Sequence, residues 1–297
     1  MWNYGKKSVS SKVFDFCNVI FLIIVSIVTI YPFIFVLFAS FSDPVRLVAH
    51  RGLLLHPLGF TLNGYLLAFK TNDIMTGYGV TAFLVIVGTL CNLVMTMIFA
   101  YVISKPGMLW SRFLIVMVII TMYFSGGMIP SFIIVKSLGL YDSLWSLILP
   151  NLINTFLLII MRTAIMAVPA DLEEAARLDG AGELSVLMKV VMPATVPTLA
   201  AIGLFYAIGY WNSWSNALIY IKTTSKYPLQ MVLRMILIQN NSSGQMANSG
   251  VTDSQGEAFR RLMKYSTVII SIVPIMLIYP FIQKYFTKGM MIGALKG

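Results

Sequence analysis

The sequence predicts an all-α membrane protein with six transmembrane helices. Two features of its composition carry this: 58% of the 297 residues are apolar and only 11% are charged, whereas a soluble domain carries about 25% charged residues. The third observation is arrangement, because the apolar residues gather in long charge-free runs. Mean hydropathy is +0.85. So few charges could not cover a soluble domain, and a disulfide scaffold, a disordered tail and a nucleic-acid module are excluded at the same step. The formal charge of +10 belongs to the segments between the runs. Cys17 and Cys91 lie inside runs, with neither a disulfide framework nor zinc spacing around them.

A hydrocarbon core about 30 Å thick needs roughly 20 helical residues at 1.5 Å each. Six strongly apolar stretches meet that length, and the spans are placed at 16–42, 78–104, 113–135, 143–161, 194–221 and 265–283. The first follows a basic start (Lys6, Lys7, Lys12) like that of a signal peptide. Its apolar run is longer than the 7–15 residues of roughly all such cores, and no clean small-residue cleavage site follows, so it is expected to remain as a helix. Two further charge-free stretches fail on composition. Residues 52–69 are interrupted by His56, Pro57, Gly59 and Gly64 and read as interfacial or external. Residues 235–252 are rich in Asn, Ser, Gln and Gly, which cannot satisfy themselves in hydrocarbon. The 21 Lys and Arg divide almost evenly between the two sides of such a topology, so charge bias gives only a weak preference for termini inside.

The interiors of the spans hold almost no ionisable side chain; Asp15 and Arg162 stand at span ends, and both histidines, His50 and His56, are outside the spans. Ion-coupled carriers place carboxylates, His or Arg on the pathway, and proteolysis would need a Ser–His pair or two His at metal-ligand spacing. No phosphate-binding loop occurs. The sequence therefore predicts no catalytic residue, no metal site and no cofactor bound by this chain, and uphill transport would draw its energy from another subunit.

Five of the 11 acids fall between 171 and 183, in the connection 162–192. Pro169 suits the first helical position, and Asp171 and Glu173 favour the positive end of a helix. Glu173 and Arg177 form an i,i+4 pair. Gly180 can supply the left-handed residue that ends the helix. Leu172, Ala175, Ala176 and Asp179 share one side, and a second helical stretch runs from about Glu183 to Pro193. An amphipathic interfacial helix without a partner is the plain alternative.

The string Glu174-Ala175-Ala176, three residues, Gly180, nine residues, Val190-Val191-Met192-Pro193 resembles the EAA loop of binding-protein-dependent ABC importer permeases, with Met192 where Leu is usual. Asp179-Gly180-Ala181 matches a common extension of it. Thr61-Leu62-Asn63-Gly64-Tyr65, Ser125-Gly126-Gly127-Met128-Ile129-Pro130, Tyr210-Trp211-Asn212, Tyr227-Pro228-Leu229-Gln230 and the ending Gly293-Ala294-Leu295-Lys296-Gly297 resemble the maltose-type carbohydrate permeases, notably the oligosaccharide permeases of Gram-positive bacteria. The resemblance covers nearly the whole chain.

It implies the type I ABC importer permease fold as a single transmembrane domain over 1–297. It also implies a bacterial cell-membrane location with both termini cytosolic, 162–192 inside, and 43–77 and 222–264 outside. The implied partners are a second homologous permease, two ATPase subunits carrying ATP and Mg, an extracellular sugar-binding lipoprotein and the bilayer. Glu173, Glu174, Ala175, Ala176, Arg177, Asp179 and Gly180 would couple to the ATPase, and Lys296 and Gly297 would add a contact from the C-terminal tail. The loop 222–264 resembles one that reaches into the binding protein, against the alternative of a flexible linker. Trp211, Asn212, Trp214 and Asn216 in span five, with Asn154 in span four, form the candidate substrate pathway, since rings stack on sugars and amides bond to hydroxyls. Trp211 lies about 25 Å along its helix at 1.5 Å per residue, near an interface where aromatic belts are ordinary. An ATP-independent carrier or channel and a non-transporting scaffold are the competing readings, opposed by the missing ion relay and by the EAA string.

Overall fold

The computed structural model describes residues 9–105, 107, 110–246 and 254–294, and they are helical throughout apart from turns and a single isolated bridge between Ser42 and Phe60. They fall into two compact units, one drawn from Met1–Lys70 and Ile236–Ile272, the other from Thr71–Met235 and Val273–Gly297.

In the first unit the helix Val9–Ser40 runs for 32 residues, about 48 Å at 1.5 Å per residue, which exceeds the hydrocarbon thickness. None of its most apolar 18-residue window is buried within the chain, so Phe16, Phe21, Ile27 and their neighbours face outward along its length. Its hydroxyls bond within the helix: Ser26 Oγ donates to the Leu22 carbonyl and Thr29 Oγ1 to that of Val25, both at 2.7 Å. The segment read from sequence as interfacial or external turns through Gly52 and Gly59, both at positive φ, and then forms the helix Asn63–Lys70. Gly64 permits that helix to lie against residues 262–266, because a Cβ there would come within 2.2 Å of Ser266 Oγ.

In the second unit Asn72–Ser104 is one apolar helix of 33 residues. A π turn at Leu84–Gly88 interrupts its ladder, a feature frequent at functional sites. The three other apolar stretches of this unit are bent. Ser111–Tyr123 meets Met128–Ser137 at 117°, Trp145–Asn151 meets Thr155–Met166 at 52°, and Glu183–Ala194 meets Val196–Trp211 at 85°. By length and composition two described helices suffice to cross a membrane, or five if each bent pair is one span.

Two of these bends fall inside the stretches expected as spans at 113–135 and 143–161, the first beside Gly126, Gly127 and Pro130, and the third, at Thr195, marks the start of the stretch 194–221. Hydropathy reports what a residue prefers to touch, whereas direction is set by single backbone positions. Gly127 has φ +85 and Pro130 stands in the first turn after it, so the helix stops and restarts at a new angle. The third of these stretches also ends early, at Trp211, with a separate short helix Ser215–Tyr220 beyond it. The connection expected over 222–264 contains the helix Leu229–Met246. The last helix, Ser254–Ala294, begins well before the expected 265.

Lipid tails are as apolar as Leu, so helices here associate by close packing and shared polar contacts. One buried cluster joins Met97, Ala100 and Ile103 of Asn72–Ser104 to Leu158, Met161 and Ile165 of Thr155–Met166. A second gathers Leu84, Leu147, Ile148 and Tyr210. Small residues set the approach: a Cβ on Gly88 would stand 2.6 Å from the Tyr210 ring, and one on Gly203 would stand 3.1 Å from Leu93. The Tyr210 ring cannot swing aside like a flexible chain end. Gly88→Val is therefore expected to destabilise the fold by about 1–3 kcal/mol, read as a lower thermal midpoint of the solubilised protein, while Gly79→Ala, with open space at its Cβ, stays within a degree or so of wild type.

Candidate functional site

Two sites emerge in the second unit, a polar cavity among the spans and a charged surface helix. The cavity grows out of the 52° bend. Where Trp145–Asn151 gives way to Thr155–Met166, backbone groups leave the helical ladder, and in a membrane such groups are tolerated only when protein or a water-filled cavity receives them. Three side chains do so. Asn154 caps the second helix by accepting from the Leu157 N–H through Oδ1 at 3.1 Å. The Asn154 N–H donates to the Tyr206 hydroxyl at 3.0 Å, and that hydroxyl shares a 2.7 Å hydrogen bond with Thr96 Oγ1. Asn92, only 1% exposed, donates from Nδ2 to the Asn151 carbonyl at 3.1 Å and accepts from the Tyr210 hydroxyl at 3.0 Å.

Above this lattice lies a cavity of about 510 Å³, lined among others by Asn151, Asn154, Phe156, Phe205, Ser213 and Asn216. The size suits a small ligand. Every lining side chain is uncharged, so the surface offers amides, hydroxyls and aromatic rings: hydrogen bonds for hydroxyl groups and flat faces for stacking.

Of the five expected pathway residues, Asn154 and Asn216 line this cavity and the other three do not. Trp211 packs edge-on to Tyr78 with ring centroids 6.3 Å apart. Asn212 Nδ2 turns back to the Ile208 carbonyl at 3.0 Å. Trp214 lies beneath the Arg234 guanidinium at 4.0 Å. Sequence reasoning missed Asn92, Asn151, Tyr206 and Tyr210. A search for polar as well as ionisable residues inside apolar runs would have found the two amides, since an amide in hydrocarbon needs a partner as surely as a charge does.

The second site is the helix Ala170–Leu178, with Pro169 just before its first turn. It closes in the way its glycine suggests: Gly180 has φ +83, the Gly180 N–H donates to the Arg177 carbonyl and the Ala181 N–H to the Ala176 carbonyl, both at 3.0 Å. This is the paired bonding of a Schellman cap. Ala176 is partly buried against the core cluster, whereas Leu172, Ala175 and Asp179, placed on the same side from sequence, are exposed. Glu174, Ala175 and Asp179 are exposed, and beside them Leu172 and Leu178 stand 50% and 89% exposed.

Glu173 and Arg177 are engaged within the chain. Arg177 bonds to Glu173 and to Glu183, each at 3.1 Å. Glu173 also takes the Lys105 ammonium, which rests 3.9 Å over the Tyr101 ring, and the Tyr101 hydroxyl donates to Glu183 at 2.6 Å. That hydroxyl, more than any other contact, holds the Glu183 carboxyl below its ordinary range, with the Arg177 bond assisting. Burial alone would lower the Lys105 ammonium, but its bonds to Glu173 and Tyr101 prevail and raise it. A cleft of about 320 Å³ opens beside this cluster, lined by Lys105, Val168, Ala170, Glu173, Glu174 and Arg177 among others. Lys296 and Gly297 lie outside the described residues.

No family model matches the chain. Over 291 residues, 97% of this chain and 96% of the relative, it is 40% identical to Protein LplC of Bacillus subtilis (strain 168). It is 37% identical over 287 residues, 97% of this chain and 99% of the relative, to the polygalacturonan/rhamnogalacturonan transport system permease protein YtcP of the same organism. Among solved structures, a bacterial ABC transporter involved in the import of the acidic polysaccharide alginate contains a chain that superposes with a TM-score of 0.86 at 29% identity, covering 95% of this chain and 99% of that one.

The hydrogen-bonded lattice and the open cavity predict separable effects. Tyr206→Phe leaves the Asn154 N–H without its partner and is expected to cost about 1–3 kcal/mol of stability, seen as a lower melting midpoint. Asn216→Ala, at the cavity wall and outside that lattice, should leave the midpoint unchanged.

Proposed function

This chain belongs to the ABC transporter permeases for sugar and oligosaccharide uptake, and we propose that it forms one half of the pore of an ATP-driven importer. In this reading it crosses the bacterial membrane six times with both termini cytosolic, in the type I importer arrangement. It pairs with a second, homologous permease. Two ATPase subunits dock beneath the pair and hold ATP and Mg, while this chain binds neither. An extracellular sugar-binding lipoprotein delivers the cargo, an oligosaccharide. The named cargoes of a relative and of the solved importer, polygalacturonan/rhamnogalacturonan and alginate, support that class, and so does a cavity whose walls carry amides, hydroxyls and rings.

The observation that carries the proposal is the helix Ala170–Leu178. It is short, its inner side is tied to the chain, and its outer side presents Glu174, Ala175, Leu172 and Leu178 with no partner among the described residues to cover them. Small and apolar residues beside the exposed carboxylates of Asp171, Glu174 and Asp179 suit insertion into a groove of another subunit, where apolar contact supplies affinity and charge sets register. Lys296 and Gly297 would add a contact to the same partner from the tail.

Two experiments test this reading. In the copurified complex, Glu174→Lys reverses the outward charge. Gly180→Val forces a β-branched residue into the left-handed region at φ +83, where the backbone itself, not a neighbour, resists it. Both variants should insert and pair with the second permease yet lose ATPase subunits or sugar-stimulated hydrolysis by about tenfold or more, a loss of some 1.4 kcal/mol of coupling. Normal docking and stimulation in both would remove the coupling role from this helix. For topology, in a variant lacking Cys17 and Cys91, a cysteine at the exposed Ser225 should react with an impermeant maleimide in intact cells. A cysteine at Asp171 should react only after permeabilisation, and the reverse pattern would overturn the orientation.

A further inference from the structure

Two carboxylates from separate helices converge on one turn of a third. Lys105 immediately follows the helix Asn72–Ser104, and Tyr101 lies one turn before it. Glu173, in Ala170–Leu178, takes the Lys105 ammonium, and Glu183, at the start of Glu183–Ala194, takes the Tyr101 hydroxyl. The Lys105 and Glu173 side chains are only 20% and 16% exposed, so this pair is less screened than a surface ion pair. The end of the same helix is held from another side, where Arg162 Nε donates to the Ile103 carbonyl at 3.1 Å.

Asn92 stands on Asn72–Ser104, 13 residues before Lys105, about 20 Å along the axis at 1.5 Å per residue. One rigid rod therefore joins the ion pair to the wall of the polar cavity. The covalent route from the charged helix is less direct, because Glu183–Ala194 meets Val196–Trp211 through an 85° bend at Thr195, and a bend absorbs displacement that a straight helix would transmit.

We propose that Lys105 is a positioning residue whose bond to Glu173 carries the movement of Ala170–Leu178 into the helix Asn72–Ser104 and so to the cavity at Asn92. The proposal rests on the reading of Ala170–Leu178 as the ATPase-docking helix. It assigns Glu173 and Glu174 opposite tasks: Glu174 faces the partner subunit, and Glu173 faces inward and hands the motion on. Lys105 touches no substrate and contributes to no chemistry. Its loss should leave the ATPase docked and turning over while sugar movement falls out of step with hydrolysis.

The test uses the complete complex, with both permeases, the ATPases and the binding protein, in proteoliposomes, and reads sugar delivered per ATP hydrolysed. Lys105→Met keeps the length of the chain and removes its charge. It should retain its ATPase subunits and lower the sugar-to-ATP ratio by about fivefold or more. Glu173→Gln should lower the ratio as well, and Lys105→Arg should stay near wild type. The Lys105→Met/Glu173→Gln double variant should fall by less than the product of the two single losses, since the two share one bond although Lys105 also lies 3.7 Å from Glu183 and Glu173 also holds Arg177. A wild-type ratio in Lys105→Met or in Glu173→Gln overturns the proposal, as does a double variant whose losses multiply or a Lys105→Met complex that sheds its ATPase. Should Lys105→Met not assemble, Glu173→Gln and Lys105→Arg decide alone. Glu174→Lys separates the two levels: if it keeps both its ATPase and normal sugar-stimulated hydrolysis, the docking reading fails; if it loses either while Lys105→Met stays fully coupled, only the tether fails.

Discussion

A backbone amide or carbonyl that leaves its helix inside a membrane has no bulk water to turn to, and the architecture of the second unit follows from how its breaks meet that demand. The bend between Asn151 and Thr155 survives because Asn92 takes the Asn151 carbonyl, Tyr206 takes the Asn154 N–H, and Asn154 caps the new helix. Two of those bonds come from other stretches of helix, so the break also fixes how Asn72–Ser104 and Val196–Trp211 pack against Thr155–Met166. Close approach at Gly88 and Gly203 completes the arrangement. The cavity is the remaining space beside these bonds, and its polarity is inherited from the groups that make the break tolerable.

The charged segment obeys a different constraint. Ala170–Leu178 has nine residues, too few to be stable by itself in water. It holds its shape through a Schellman cap at Gly180, through Ala176 in the buried cluster and through Glu173 and Arg177 in the ion network. Its outer side contributes nothing to that internal holding, which leaves Glu174, Leu172 and Leu178 open to an outside partner. One short helix is thus divided into an inward ionic side and an exposed outer side, and in the proposed reading a force applied to the outer side reaches the inner one.

Much of the charged site was legible from residues alone. The helix before Gly180, the Glu173–Arg177 pair and the left-handed cap are local features, each set by residues within one or two turns, and the structure contains all three. The pathway residues were less legible. Trp211, Asn212 and Trp214 were singled out by type, and each is occupied locally, by Tyr78, by its own helix and by Arg234. Asn92 and Tyr206 acquire their roles from partners 59 and 52 positions away in the chain, and no periodicity reports such a pairing. Lys105 pairs with Glu173, 68 positions away, and is equally silent in the sequence.

By itself the sequence determined what is written in composition and short spacing: an all-α membrane protein, apolar stretches long enough to span, no ion relay or phosphate loop within them, and a capped acidic helix whose spacing marks its family. Hydropathy sums over a window and local caps act within a turn, so both survive the loss of three-dimensional context. Tertiary structure alone decided where the apolar stretches bend, which amides line the cavity, and which acid of the Glu173–Glu174 pair faces inward. Those outcomes depend on long-range hydrogen bonds and on a few tenths of an ångström of clearance at Gly88, and such contacts exist only once distant segments have been brought together.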